Sequence, residues 1–117
     1  MTKQESYSNI LSAFVTDFAE KYEQAPSGLS TIALIDKERH HYQALMLGYN
    51  EEQEKFSFVV AFHLDLIEDQ VWVQANNTDW DFSNDLLERG VSEKDIVIGW
   101  LPENAESYKS SKEKILA

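Results

Sequence analysis

The sequence predicts an α+β domain in which an antiparallel four-stranded meander sheet is covered on one face by an N-terminal helix and a second helix, with a short strand near the C-terminus. Three observations carry that prediction. Phe56, Phe58, Val60, Phe62, Leu64 and Leu66 are apolar at every second position, the period of a strand with one buried face. Tyr7, Ile10, Leu11, Phe14, Phe18 and Tyr22 recur at steps of three and four, the stripe of an amphipathic helix. The chain has 117 residues, enough for one modest core and one domain spanning 1–117.

In order along the chain, Thr2-Lys3-Gln4-Glu5 has the form of a capping box and opens a helix over about 3–24. Pro26-Ser27-Gly28 ends it in a loop. The sheet is expected over about 31–75. Thr31-Ile32-Ala33-Leu34-Ile35 is a short strand, and Asp36-Lys37-Glu38-Arg39 a polar turn. The next strand runs over 41–49, with Leu45, Leu47 and Tyr49 on one side and Tyr42, Ala44, Met46 and Gly48 on the other. A charged loop over 50–55 leads into a hairpin over 56–74, with Glu68-Asp69 in a tight turn. That register pairs Leu66 with Val71, Asp65 with Trp72, Leu64 with Val73 and His63 with Gln74. Thr78 or Asp79 can cap a second helix over about 79–89 carrying Phe82, Leu86 and Leu87, and Gly90 sits at the left-handed residue that closes it. Ile96-Val97-Ile98-Gly99-Trp100 is the last strand, stopped by Pro102. The tail to 117 is polar until Ile115-Leu116 and reads equally as a frayed helix or a segment docked through those two residues.

The totals exclude several classes of function. The net charge is −11, with Arg39 and Arg89 as the arginines. Nucleic-acid binders draw much of their affinity from phosphate neutralisation, so direct DNA binding is not expected. Lys109, Lys112 and Lys114 are the one candidate basic cluster, and Glu106 and Glu113 dilute it. The absence of cysteine removes disulfides, thiolate catalysis and thiolate metal sites. No apolar run approaches the ~20 residues of a membrane span, and the Met1 start has no signal-peptide pattern. A cytoplasmic protein is the simplest expectation.

Two helices cannot cover both faces of the sheet. The face away from them is expected to carry Val59, Ala61, His63, Asp65, Trp72, Gln74 and Tyr42. A half-polar face with a tryptophan suits a subunit or partner interface, although the C-terminal segment could instead shield Trp72. His63 and Asp65, two apart on one strand, share that face and could meet His41 or Tyr42 of the neighbouring strand. Such a group could be a general base held by a carboxylate, or a metal site. No nucleophile or glycine-rich phosphate loop accompanies it, so a hydrogen-bonded interface patch is the preferred reading, with no catalytic residue, cofactor or metal assigned. His40 and His41 are adjacent, face opposite ways on a strand and cannot share one metal. Asp79, Asp81 and Asp85 lack the spacing of a calcium loop.

Several stretches, in order and spacing, resemble the XisI family, the fdxN-element excision controlling factors. They are Asp36 followed by Arg39-His40-His41-Tyr42-Gln43, then Gly48-Tyr49, His63-Leu64-Asp65-Leu66, Val71-Trp72-Val73-Gln74, Thr78-Asp79, and Gly90-Val91 followed by Lys94-Asp95-Ile96-Val97-Ile98-Gly99-Trp100. The resemblance covers about residues 31–102, and its motifs are specific as a set. His40 stands where the family pattern has Asp, Ser92 where it has Pro, and Glu68-Asp69 lacks the usual turn glycine. The resemblance implies a XisI-like fold, with Asp36, Arg39, His41, Asp95 and Gly99 as motif positions. It implies an accessory, regulatory role in excision of a DNA element by a recombinase, beside a nuclease-like XisH-type protein. The partner would be that protein or a second copy of this chain. Two other functions stay open: a small enzyme using His63 and Asp65, and an antitoxin-like neutraliser of a nuclease-like partner.

Overall fold

The computed structural model describes residues 1–24 and 28–116, the last six as helix backbone alone. The loop expected at Pro26-Ser27 and the docking expected of Ile115 and Leu116 lie outside the described residues. The elements run α1 (Lys3–Lys21), β1 (Ser30–Asp36), β2 (His41–Asn50), β3 (Lys55–Ile67), β4 (Gln70–Asn76), α2 (Ser83–Glu88), β5 (Ile96–Ile98) and α3 (Ala105–Leu116). The strands form one sheet in sequence order. β1 to β4 are the expected antiparallel meander, whereas β5 pairs parallel to β4, Trp72 opposite Val97. The sheet is therefore five-stranded and mixed. The turn of α2 and a 3₁₀ turn at Glu93–Asp95 carry the chain back to make that parallel pairing.

α1 begins as its cap demands, with Thr2 Oγ1 accepting from the Glu5 N–H at 3.1 Å. Its inner face buries Tyr7, Ser8, Leu11, Phe14, Val15 and Phe18. These meet Tyr42, Ala44, Phe62, Leu64, Leu66, Val71 and Val73 from the sheet and Phe82, Leu86 and Val91 from the α2 region. Rings of Phe14, Phe18, Phe62 and Phe82 lie 4.9–5.3 Å apart by centroid. α2 is shorter than the sequence suggests, and Thr78, one of its two expected caps, is already used in the preceding turn. Asn76 Oδ1 accepts from the Thr78 N–H and hydroxyl, and Thr78 Oγ1 accepts from the Trp80 N–H. The helix starts only at Ser83, whose N–H donates to Asp81. It ends as expected: Gly90 is left-handed (φ 111°), with Gly90 N–H donating to Leu87 and Val91 N–H to Leu86.

The β3–β4 hairpin turns through Glu68 and Asp69, both at positive φ (49° and 63°), as a two-residue type I′ connection requires. Leu66 pairs with Val71, Asp65 with Trp72 and Leu64 with Val73 as expected. His63 then pairs with Ala75 instead of Gln74, because Gln74 is the extra residue of a bulge. A second bulge lies on the other side of β3. Ala44 pairs with Phe62 and Leu45 with Val60, which leaves Ala61 as the extra residue.

The Ala61 bulge overturns one expectation. An inserted residue reverses the side on which every following side chain emerges. Phe62, Leu64 and Leu66 point at α1, but Phe56 and Phe58, of the same parity in sequence, do not. They pair with Tyr49 and Leu47 on the opposite face and are 64% and 66% exposed. Val59 conversely pairs with Met46 and moves to the helix side.

Candidate functional site

The face away from α1 has three zones. At the β3–β4 end, Trp72 is buried, its ring 5.6 Å from that of Tyr108 on α3. The C-terminal helix thus shields Trp72, which is not part of an exposed interface. In the middle lies a polar cluster. At the far end is an apolar field on β1, β2 and β3.

The cluster is assembled by ladder pairing. His41 on β2 sits opposite Asp65 on β3, and Gln43 opposite His63. Directly opposed residues share a face, so the four side chains converge. His41 Nδ1 lies 2.6 Å and His63 Nε2 2.7 Å from the same oxygen, Asp65 Oδ1. His63 Nδ1 lies 2.8 Å from Gln43 Oε1. The Gln74 bulge turns its amide inward, and Gln74 Nε2 donates to Asp65 Oδ2 at 3.2 Å. Burial pushes the Asp65 carboxyl up, but the hydrogen bonds and attraction of His63 and His41 outweigh it and hold the group below the usual carboxylate range. Asp65 is largely buried while His41 is half exposed, so one side of the cluster is open to solvent. Surface clefts of about 350 Å³ at Asp17, Trp80 and Arg89 and about 510 Å³ at Tyr22, Met46 and Val59 are lined by other residues and lie on the helix side.

The remaining residues singled out in the sequence are dispersed. Tyr42 points the other way from the expected interaction face: it is buried beneath α1, its hydroxyl 2.7 Å from Ser8 Oγ and 3.3 Å from His40 Nδ1. Ala61 is likewise buried. Asp36 closes the β1–β2 turn, accepting from the N–H groups of Glu38 and Arg39 and from the Arg39 guanidinium, so that its carboxyl is held low. Asp95 locks the start of α1 to the approach of β5. It accepts from Lys3 Nζ at 2.7 Å and Tyr7 Oη at 2.6 Å, and those two bonds hold its carboxyl low. Gly99 N–H donates to the Val73 carbonyl, and a side chain at Gly99 would overlap the Gln74 amide. Gly99 is therefore the small residue that lets the end of β5 pass the bulge orienting Asp65.

Two features escape the sequence. Gln43 joins the cluster through a pairing no local pattern reveals. The apolar field consists of Ile32, Leu34, Tyr49, Phe56 and Phe58, all exposed, around the more buried Leu45. Ile32 pairs with Leu45, Leu45 with Val60, Leu47 with Phe58 and Tyr49 with Phe56, so the field is continuous across three strands.

Fold and site together define a small α+β protein whose sheet is helix-covered on one face and bears a histidine–aspartate cluster beside an open apolar field on the other. The family model described as XisI protein matches residues 1–111, and the chain belongs to the XisI family. Its fold is similar to that of a XisI-like protein from Anabaena variabilis ATCC 29413. That crystal structure superposes with a TM-score of 0.75 at 24% identity, over 86% of this chain and 91% of that one. The fdxN element excision controlling factor XisI from the same organism superposes with a TM-score of 0.70 at 18% identity, over 88% of this chain and 92% of that one. No curated protein sequence matches the chain. Among the described residues, no helix is long and apolar enough to cross a membrane.

Proposed function

We propose that this protein is an accessory factor in the controlled excision of a DNA element, and that it acts by binding protein instead of catalysing a reaction. Membership of the XisI family supports the role, as does the likeness to a protein described as an excision controlling factor. The net charge of −11 favours contact with a DNA-acting protein over contact with DNA. The observation that carries the mechanism is the apolar field. Two phenylalanines about two-thirds exposed, beside Tyr49, Leu34 and Ile32 on one sheet face, form a contiguous patch of the composition found in interface cores. The partner is a XisH-type protein, whose docking would cover Phe56 and Phe58. His63 and Asp65 have no catalytic role in this reading: their polar atoms are committed to one another and to Gln43 and Gln74 on an open sheet face.

Two assays test it. Co-expression with the XisH-type protein, followed by chromatography with light scattering, is expected to give one complex. Supply of this chain to a strain lacking its own XisI is expected to restore excision of a reporter element. Restored excision with no complex would contradict the mechanism, and a complex without restored excision would contradict the role. The charge also favours an antitoxin-like variant of this reading, in which the acidic surface masks a basic nuclease. Association that collapses as salt rises would favour it.

A further inference from the structure

We infer that His41, His63 and Asp65 bind a divalent transition-metal ion of the zinc class. Their ligand atoms, one from each side chain, all lie within 4.8 Å of one another. The set is two imidazole nitrogens and one carboxylate oxygen. Zinc and its neighbours accept such donors, whereas magnesium and calcium prefer all-oxygen shells.

The hydrogen bonding gives a reason beyond proximity. His63 Nδ1 faces the Gln43 side-chain oxygen at 2.8 Å, so it carries the hydrogen and donates it. His63 Nε2, the ring nitrogen outside that bond, is turned to the Asp65 carboxylate 2.7 Å away, where His41 Nδ1 also points. Metal-bound histidines characteristically donate their second ring hydrogen to a fixed acceptor, the part Gln43 plays here. Gln74, donating to Asp65 Oδ2, aims the carboxylate in the same way.

The rearrangement needed is confined to the three side chains. Bonds of about 2.0–2.2 Å in a tetrahedral shell place ligand atoms roughly 3.3 Å apart. The present nitrogen–oxygen separations are 2.6 and 2.7 Å, so the two pairs open by roughly 0.6–0.7 Å. The His63 and Asp65 side chains, two apart on one strand, part by side-chain rotation, while the half-exposed His41 swings to adjust. Three protein donors leave a fourth position on the solvent side for water. The site does not depend on the proposed excision role and stands or falls without it.

The test is titration of the purified full chain with zinc chloride, followed by calorimetry. The chain has three histidines, so His40→Asn is a matched control outside the site that tolerates the left-handed backbone there (φ 62°). Expected are one zinc per chain, a rise in melting temperature, and no binding of magnesium. His63→Ala and Asp65→Asn should each weaken binding at least about tenfold, and Gln43→Ala about 10–100-fold through lost orientation. His40→Asn should bind as the unaltered chain does. Because a variant could lose affinity by unfolding, long-range nitrogen correlations of the imidazoles in the unaltered chain give an independent readout. They should shift at Nε2 of His63 and Nδ1 of His41 on zinc addition. Absence of saturable binding, shifts at other nitrogens, or binding unchanged in Asp65→Asn would each overturn the site.

Discussion

Phe58 and Phe62 are the same residue, four positions apart on one strand, and the sequence gives them one parity. Phe62 is fully buried against α1, and Phe58 is 66% exposed on the opposite face. The difference is one residue, Ala61, which has no partner on β2 and reverses the alternation around it. The bulge divides β3 into an inner half that builds the core and an outer half that builds a surface. A repeating pattern of apolar residues therefore does not by itself identify a core. It identifies a face, and the ladder decides which one.

The comparison can be broken most easily by truncating each phenylalanine. Phe62→Ala removes a ring packed against Phe14, Phe18 and Phe82 and should destabilise the fold by about 3–5 kcal/mol in chemical denaturation. Phe58→Ala should stay within about 0.5 kcal/mol. Equal losses would show that the two halves of β3 face the same way. Next in size is Tyr42→Phe, on the inner half of β2. It strands the buried Ser8 hydroxyl and should cost about 1–2 kcal/mol.

A smaller effect is expected at the turn closing the inner half. Asp69 is held at φ 63°, and Asp69→Gly should raise the denaturation midpoint by the equivalent of up to about 1 kcal/mol by relieving that backbone.

The subtlest effect is a pH slope. Asp65 has a folded-state pKa below its ordinary value, so the unfolded chain takes up that proton first as pH falls. Its contribution is complete above about pH 4, the ordinary carboxylate value, and is lost as pH drops through the folded value. Urea midpoints measured downward from pH 6 should therefore fall less steeply in Asp65→Asn than in the unaltered chain.

How far the sequence could be read follows the same division. Features set by neighbours along the chain were legible: the Thr2 cap and stripe of α1, the Glu68-Asp69 turn, the Leu64–Leu66 register and the closing role of Gly90. Features set by distant strands were not. Neither bulge has a local signature, because Ala61 and Gln74 become extra only relative to what β2 and β3 place opposite them. The parallel seat of β5 depends on how the last third of the chain folds back, and the same return decides, through Tyr108, for the C-terminal cover of Trp72 that the sequence left as an alternative. Tyr42 faces α1 instead of the expected interaction face, and its buried partner, Ser8 of α1, is a contact that no local pattern reveals. The His63–Asp65 pair was visible from its spacing. His41 entered only as a candidate neighbour, and Gln43 did not enter the site at all, since cross-strand register fixes both.

The most direct test of the outer half of β3 as a binding surface is association of the double variant Phe56→Ser/Phe58→Ser with the XisH-type protein, measured beside its thermal melt. A melt like that of the unaltered chain together with loss of the complex is the predicted result. A complex of undiminished affinity would contradict it, and the exposed phenylalanines would then need another explanation.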